Sequence, residues 1–274
     1  MHSQSADDLS RRRDHPMPVS YARFVESIAS LDELAAGAWP PGELIVAGGW
    51  RFRWTSGVTR RANSALPVGN EARMEELVAF GEEFYRSRGA PAKFLVSAAS
   101  APSELADYLR RRGYRPHDRT LVMTVDTAQL LARTAPGRWS IEIASEATPR
   151  WFESYWQADS PRALDSEEAR IHRQTLLVPE SPSSFVLLEE EHSGVAVGQI
   201  VFANGWGGLQ CIATLESHRR RGAAGAVLHQ LAVLAADAEV SALYLVVLAD
   251  NLPAMHLYIP LGFEVAHEYT YFTG

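Results

Sequence analysis

The chain has 274 residues, of which 46% are hydrophobic and 22% are charged, and its formal net charge is -7. This composition is typical of a globular protein, and the length is enough for one large domain or two of about 140 residues. The acidic balance excludes a broad nucleic-acid-binding surface, and the single cysteine, Cys211, excludes an intramolecular disulfide. No apolar run reaches the roughly 20 residues that span a bilayer, and the first residues lack the apolar core of a signal peptide. We therefore expect a cytoplasmic protein that binds neither nucleic acid nor membrane.

The first half of the chain begins with a polar segment and continues as helices and strands. Residues 1–18 contain too few apolar groups to offset the entropy of ordering, which predicts a flexible tail. Apolar residues at helical spacing predict a helix over 21–38. Apolar and β-branched runs bounded by turn residues predict strands over 44–46, 50–54 and 58–66. The same rules predict a helix over 71–87, a strand over 93–97, a helix over 103–112 and a strand over 120–125.

The second half repeats the end of the first. A strand over 139–144 and helices over 149–157 and 166–177 lead into a predicted meander of strands over 185–188, 195–202 and 209–214. A helix containing Val227 and Leu231 follows, and then come an apolar strand over 243–248, a helix over 251–258 and a strand over 269–272. A strand, a helix, a glycine-aromatic pair and a strand thus occur twice, with Gly113-Tyr114 in one half and Gly262-Phe263 in the other. This repetition predicts two copies of one fold, which meet near the turn-rich break over 134–137.

The turn before the helix of Val227 is rich in arginine and glycine. Residues 219–225 read Arg-Arg-Arg-Gly-Ala-Ala-Gly. A turn of small residues at a helix start leaves backbone N–H groups unpaired, and the helix dipole adds partial positive charge there. The turn therefore predicts an anion cradle for a ligand that carries phosphates. It is not a P-loop, because no G-x-x-x-x-G-K-[ST] sequence occurs.

Two motifs in the second half carry a family resemblance. The first, Thr214-x-Glu216-x-x-Arg219-x-x-Gly222-x-Ala224, resembles the V-x-P-x-x-(Q/R)-x-x-G-x-(G/A) signature of the GNAT superfamily of N-acetyltransferases. The second, Asn251-x-x-Ala254-x-x-Leu257-Tyr258-x-x-x-Gly262-Phe263, is similar to the N-x-x-A-x-x-L-Y-x-x-x-G-F element of that superfamily. The motifs support the resemblance over about residues 139–274, and the first half is similar in the order of its elements alone.

The resemblance implies an α/β fold with a mixed sheet, built as two tandem GNAT-like domains that each contain a mostly antiparallel, splayed sheet flanked by helices. It implies a flexible tail over 1–18, a degenerate GNAT-like domain over 19–126, a linker over 127–138 and a catalytic GNAT domain over 139–274. The implied activity is direct transfer of an acetyl group from acetyl-CoA to a small-molecule or peptide amine, and no metal is expected. A non-catalytic acyl-CoA sensor is the alternative interpretation.

The resemblance also implies which residues hold the coenzyme. The strand segment Ile212, Ala213 and Thr214 corresponds to the one whose main chain pairs with the pantetheine amides. The turn that corresponds to the pyrophosphate-binding turn of the family is formed by Arg219, Arg220, Arg221, Gly222, Ala223, Ala224 and Gly225. Asn251 matches a side chain that hydrogen-bonds the coenzyme near its pantetheine arm, and Tyr258 matches a tyrosine that protonates the departing thiolate. From its helical spacing to Ala254, a core position for Tyr258 is the alternative interpretation.

The group that accepts a proton from the attacking amine is not evident in the sequence. At the two positions where relatives carry a glutamate, this chain has Gly208 and Val246. Cys211 is expected to be a buried thiol and not an acyl-accepting nucleophile. The remaining carboxylates considered are Glu216 beside the turn and, as weaker candidates, Glu153, Asp159 and the run over 189–191. The base is therefore unassigned, and water connected to bulk solvent is an alternative.

The first copy lacks these parts. No arginine-glycine turn precedes its strand over 93–97, and Leu109 is the counterpart of Tyr258. By the resemblance, this copy shapes the acceptor pocket or replaces a dimer partner, which predicts either a monomer with pseudo-dimeric form or a homodimer. Its candidates for holding an acidic group, with ordinary surface arginines as the alternative, are Arg51, Arg53, Arg60 and Arg61.

Overall fold

The computed structural model describes residues 28–68, 73–100, 104–160, 162–177 and 181–274, so the predicted tail over 1–18 lies outside the described residues. The helices are α1 (Ile28–Gly37), α2 (Met74–Arg86), α3 (Leu105–Arg111), α4 (Thr127–Arg133), α5 (Pro149–Asp159), α6 (Glu167–Leu177), α7 (Ala223–Asp237) and α8 (Leu252–Tyr258). The strands are β1 (Glu43–Ala47), β2 (Trp50–Trp54), β3 (Ala65–Leu66), β4 (Lys93–Ser97), β5 (Arg115–Asp126), β6 (Ser140–Ala144), β7 (Ser183–Glu190), β8 (Ser193–Ala203), β9 (Trp206–Thr214), β10 (Ala242–Leu248) and β11 (Glu264–Thr273). Within these ranges, every helix is too short or too polar to cross a membrane.

The strands form one open, mixed sheet in the order β1-β2-β3-β4-β11-β5-β10-β9-β8-β7-β6. The pairs β3·β4 and β9·β10 are parallel, and the other neighbours are antiparallel. Helices flank both faces, which is why β10 is almost wholly apolar. Its Leu243 and Leu245 belong to the core under α7, whereas Tyr244 belongs to the core under α1. The predicted α/β fold with an open sheet flanked by helices is confirmed.

The last strands of the two halves are exchanged. β5, from the first half, lies between β10 and β11, and its Met123 is opposite Leu245 of β10. β11, from the second half, lies between β5 and β4, and its Phe272 is opposite Phe94 of β4. Each half therefore supplies a strand that completes the sheet of the other, and the sheet continues from one half into the other.

The segment expected to be a linker, 127–138, begins with the helix α4. Its Leu130 is fully buried in the same core as Leu228 and Leu231 of α7. The hydroxyl of Thr127 donates to the carbonyl of Val240, which fixes the start of the helix to the end of the turn after α7. The turn-rich residues 134–137 have no regular structure, as their composition indicates.

The strand predicted over 58–66 is wrong for most of its length, because only Ala65–Leu66 pairs in the sheet. The buried side chain of Asn63 replaces the strand pairing. Its Oδ1 accepts hydrogen bonds from the backbone N–H groups of Thr55 and Gly57, at 2.8 and 2.9 Å, and its Nδ2 donates to the carbonyls of Val58 and Thr59. An asparagine side chain favours such a loop over a strand, because it competes with the neighbouring strand for backbone hydrogen bonds. The loop carries residues 59–61 toward the second half.

Candidate active site

The sheet opens between β9 and β10. The two strands pair in parallel from Trp206 and Ala242 to Leu209 and Leu245, and beyond that point they separate. A bulge in β9 lies at the point of separation, because two residues there face the single Gly198 of β8, and Cys211 has a positive φ of 52°. The segment over 212–214 therefore has β8 on one side and no strand on the other, as the predicted splayed sheet requires.

The arginine-glycine turn leads directly into α7. Gly222 is the N-cap residue, with the left-handed φ of 86°, and no side chain caps the helix. The first turn of α7 contains no acidic residue, so its N–H groups and the helix dipole are available to an anion. A Cβ added to Gly222 or Gly225 would meet no atom of the described residues within 4 Å, so the turn borders open space within this part of the chain. These residues fit a pyrophosphate group.

A cleft of about 550 Å³, here called the α7 cleft, lies against this turn. Of the predicted binding residues it is lined by Ile212, Ala213, Thr214, Arg219, Arg220, Gly222, Ala223, Ala224, Gly225 and Asn251, together with Tyr258. Arg221 lies instead on a neighbouring groove, which it shares with Arg133, Arg138 and His256. The structure thus brings together every predicted site residue except Arg221, which borders the site from the adjoining side.

Several polar groups border the α7 cleft. Arg219 donates from Nε to the carbonyl of Thr214 at 3.3 Å, which ties the turn to the end of β9. The hydroxyl of Thr214 is buried and has no hydrogen-bond partner among the described residues. Asn251 accepts a hydrogen bond from the N–H of Ala254 at 3.2 Å and so caps α8, which leaves its amide nitrogen free to donate. The cleft therefore presents unused polar groups to a ligand.

Tyr258 ends α8 and lies between the two cavities of the site. Its side chain is buried, with 8% of the residue exposed, and its ring contacts Phe263 at a centroid distance of 5.3 Å. Burial raises the pKa of Tyr258 to about 12, so the hydroxyl stays protonated at neutral pH. The hydroxyl has no hydrogen-bond partner in the described part of the chain, which suits a proton donor to a ligand better than a purely structural group.

A second cavity of about 460 Å³, here called the inner cavity, continues from the α7 cleft into the gap between β9 and β10. The two share Asp159, Ile212, Asn251, Ala254 and Tyr258. The far wall comes from the first half and from the exchanged strands, and consists of Thr59, Arg60, Arg61, Thr120, Tyr269 and Tyr271. The sequence indicated the two arginines as candidates. It gave no signal for the threonines and tyrosines, because their place depends on the strand exchange.

The structure leaves no room for a glutamate at one of the two usual positions. The hydroxyl of Tyr244 lies over Gly208, where an added Cβ would come within 2.5 Å of it, so a longer side chain at position 208 has no room. Cys211 lines the inner cavity, but burial raises the pKa of its thiol to about 12, which leaves it protonated and a poor nucleophile. Asp159 is the one carboxylate among the described residues that line the two cavities.

The other carboxylates considered from the sequence lie outside both cavities. Glu216 is exposed in the short helical turn Glu216–His218, and Glu153 accepts a hydrogen bond from Gln157 on the surface of α5. Glu189 pairs with Arg150, and Glu190 pairs with Arg138 and His218. The surface partners of Glu153, Glu189 and Glu190 account for these three carboxylates without a role in the site.

Comparison with known sequences and structures decides the family. Over residues 26–272 the chain matches the family described as probable histone acetyltransferase Rv0428c, C-terminal. The chain belongs to this family. It is 29% identical over 253 residues to the N-acetyltransferase YobR of Bacillus subtilis strain 168, described as uncharacterized, with 90% of this chain and 98% of the relative covered.

Solved structures show the same fold. A GCN5-related N-acetyltransferase from Kribbella flavida superposes with a TM-score of 0.65 at 16% identity, covering 90% of this chain and 96% of that one. A tandem GNAT protein from the clavulanic acid biosynthesis pathway superposes with a TM-score of 0.64 at 15% identity, covering 89% and 87%. The chain is thus an acetyltransferase of the GNAT type, and the resemblance drawn from its two motifs is confirmed.

Proposed function

We propose that the protein is an N-acetyltransferase that uses acetyl-CoA and transfers the acetyl group directly to an amine. The observation that carries this proposal is the meeting of two cavities at Tyr258, one bordered by an open phosphate cradle and the other closed toward the first half. A binding protein needs the α7 cleft alone. An enzyme that joins two substrates needs both cavities, with the reacting groups at the place where they meet.

In this proposal the turn over 219–225 holds the pyrophosphate of the coenzyme, and the freed edge of β9 over 212–214 holds its pantetheine arm. Acetyl-CoA supplies an acetyl group activated as a thioester, in which the C–S bond breaks as the amine nitrogen forms the new C–N bond. A main-chain N–H of the segment over 212–214 polarises the carbonyl oxygen, as the splay makes room for it. The hydroxyl of Tyr258 donates its proton to the departing sulfur, and that proton is replaced by one lost from nitrogen.

The amine must be neutral when it attacks, although most amines are protonated at pH 7. We propose Asp159 as the group that receives the first proton of the ammonium, directly or through water. It lies at the end of α5, it borders both cavities, and its partner is the hydroxyl of Tyr155 at 3.2 Å. Asp159 would then take the role that a glutamate at position 208 or 246 has in relatives.

The first half, in this proposal, is a degenerate copy that serves as the wall of the acceptor site. It contributes the loop over 59–61 and Thr120 of β5 to the inner cavity. Since one chain supplies both halves of the exchanged sheet, a monomer is sufficient to build the complete site.

Release of free thiol from acetyl-CoA, measured against a panel of primary amines, tests the proposal. We expect turnover with a subset of amines and a rise in melting temperature with acetyl-CoA alone. Asp159→Asn should lower the rate about tenfold at pH 7 and less at pH 9, where more of the amine is already neutral. Glu153→Gln, on the outer face of the same helix, is the matched control. Binding of acetyl-CoA without thiol release for any amine contradicts the proposal and favours an acyl-CoA sensor.

A further inference from the structure

Two arginines of the first half line the inner cavity outside the part that it shares with the α7 cleft. Arg60 and Arg61 reach it from the loop of the first half, whereas Asp159 belongs to the part shared with the α7 cleft. Its volume of about 460 Å³ lies within the range of small-molecule sites. The cavity therefore has a carboxylate in the part that also contains Tyr258 and guanidinium groups outside that part.

The loop that carries the arginines is fixed before any ligand binds. Asn63 is 5% exposed and makes four hydrogen bonds to the backbone of residues 55–59. Arg53 is 2% exposed, and its guanidinium donates to the carbonyl and the hydroxyl of Ser64 at 3.0 and 2.9 Å. A loop held in this way presents its side chains without a large cost in conformational entropy.

Arg61 differs from its neighbours in its partners. Arg51 pairs with Glu33, and Arg60 pairs with Asp118. The guanidinium of Arg61 donates to Oε1 of Gln210 at 3.2 Å and lies 4.9 Å from the ring centroid of Trp39. In the described part of the chain no carboxylate forms an ion pair with it. A partly buried cation without a counterion is stabilised by an anionic ligand.

A second, independent group points to the same place. Tyr271 lines the inner cavity and is 2% exposed, and its hydroxyl has no hydrogen-bond partner among the described residues. Burial raises the pKa of Tyr271, so that the hydroxyl remains a donor, even though Arg53, the hydroxyl of Tyr269, Arg61 and Arg60 oppose the shift. The hydroxyl of Tyr271 lies close to the hydroxyl of Tyr269 and to several guanidinium groups, but it has no anionic partner among the described residues, and a carboxylate supplies one.

We propose that the acceptor is a small amine that also bears a carboxylate, such as an amino acid, and that Arg61 and the hydroxyl of Tyr271 bind this carboxylate. The amine then extends toward Asp159 and Tyr258, where the transfer occurs. This inference rests on the proposed function and adds the class of acceptor to it. A lysine-rich peptide is a poor fit, because its further positive charges would approach Arg60 and Arg61.

Matched pairs of amines test the acceptor class. The pairs are phenylalanine with phenethylamine, lysine with cadaverine and glycine with methylamine, together with the methyl esters of the three amino acids and one lysine-rich peptide. We expect the best acceptor to carry a carboxylate and to lose at least tenfold in kcat/KM when the carboxylate is removed or esterified. In Arg61→Gln and Tyr271→Phe this preference should fall to less than threefold through a higher KM for the acceptor, with the KM for acetyl-CoA unchanged. Arg51→Gln is the matched control and should keep the preference.

The outcomes separate this inference from the function on which it rests. Turnover that is equal or faster with the decarboxylated amines, or with the lysine-rich peptide, overturns the acceptor class and leaves the acetyltransferase proposal intact. A preference that Arg61→Gln does not change overturns the role of Arg61. Absence of thiol release with every amine overturns the proposed function and this inference with it.

Discussion

The two halves of the chain place a helix after a strand in the same way, but they give that helix opposite electrostatics. The first turn of α2 contains Glu75 and Glu76, whose negative charges complement the helix dipole and would repel a phosphate. The first turn of α7 contains no acidic residue, and three arginines precede it. Only the second junction attracts an anion. The comparison teaches that the proposed coenzyme site depends on a few residues at a helix start and not on the fold, which both halves provide.

The next helix of each half shows the same contrast. Leu109 of α3 is fully buried in an aromatic core that contains Trp50, Phe52 and Phe94. Tyr258, its counterpart on α8, lines both cavities. In the first half, core side chains occupy the space that corresponds to the two cavities of the second half.

Separating the halves should have the largest effect. Because β5 lies between β10 and β11, a fragment over 139–274 leaves both strands unpaired on the facing edges. We expect no cooperative unfolding transition and no acetyl-CoA binding for this fragment, measured by thermal denaturation and calorimetry. Co-expression with residues 1–138 should restore both. A fragment that unfolds cooperatively and binds acetyl-CoA alone would show that the strand exchange is dispensable.

Gly222→Glu should come next, because it adds bulk, a negative charge and backbone strain to the cradle at a φ of 86°. We expect the Kd for acetyl-CoA to rise by more than about a hundredfold. The matched control is Gly89→Glu in the first half, which has a φ of 70° and equally open surroundings, so that it carries the same strain away from the site. Retained affinity in Gly222→Glu would remove the turn from the coenzyme site.

Tyr258→Phe should lower kcat by about a hundredfold, because the departing thiolate loses its proton donor. The Kd for acetyl-CoA should stay within about twofold, since the ring and its contact with Phe263 are retained. Tyr108→Phe, on the corresponding helix of the first half, is the control and should leave kcat unchanged. An unchanged kcat in Tyr258→Phe would reduce Tyr258 to a core residue, as Leu109 is in the first half.

The last effect is on stability and concerns the contact between the halves at His172. Its ring lies 4.9 Å from that of Trp39, and burial, followed by the charge of Arg61, lowers its pKa to about 4. In the unfolded chain the same group has a pKa of about 6.5. As the pH falls from 6.5 to 4, the unfolded state therefore binds a proton that the folded state does not bind. The free energy of unfolding should decrease over that range by on the order of 3 kcal/mol.

His172→Phe keeps an aromatic ring at this position and removes the titration. Denaturant unfolding between pH 4 and pH 7 should therefore show a smaller decrease for this variant than for the natural chain. Equal pH dependence in the two proteins would mean that His172 is already accessible to protons in the folded state.

Much of the second half could be predicted from the sequence, because its periodic elements coincide with short turns. The strands over 185–188, 195–202, 209–214 and 243–248 were placed correctly, although each extends farther in the structure. The members of the α7 cleft were predicted because they follow one another closely along the chain, in two motifs with a fixed spacing. Local spacing of this kind is visible in a single sequence.

The inner cavity could not be predicted in the same way. Its walls depend on β5 and β11 changing places and on a loop that Asn63 bends away from strand pairing. Both are long-range or side-chain effects that override local propensity, as the wrong strand over 58–66 shows. Arg60 and Arg61 were candidates from the sequence, but their proximity to Tyr271 could not be predicted from it.

Calorimetric titration of acetyl-CoA into the full chain tests most directly the claim that two similar halves hold one coenzyme site. The account predicts one binding event per chain, with heat that disappears in Gly222→Glu and persists in Gly89→Glu. A stoichiometry of two per chain, or binding that survives Gly222→Glu, would contradict it.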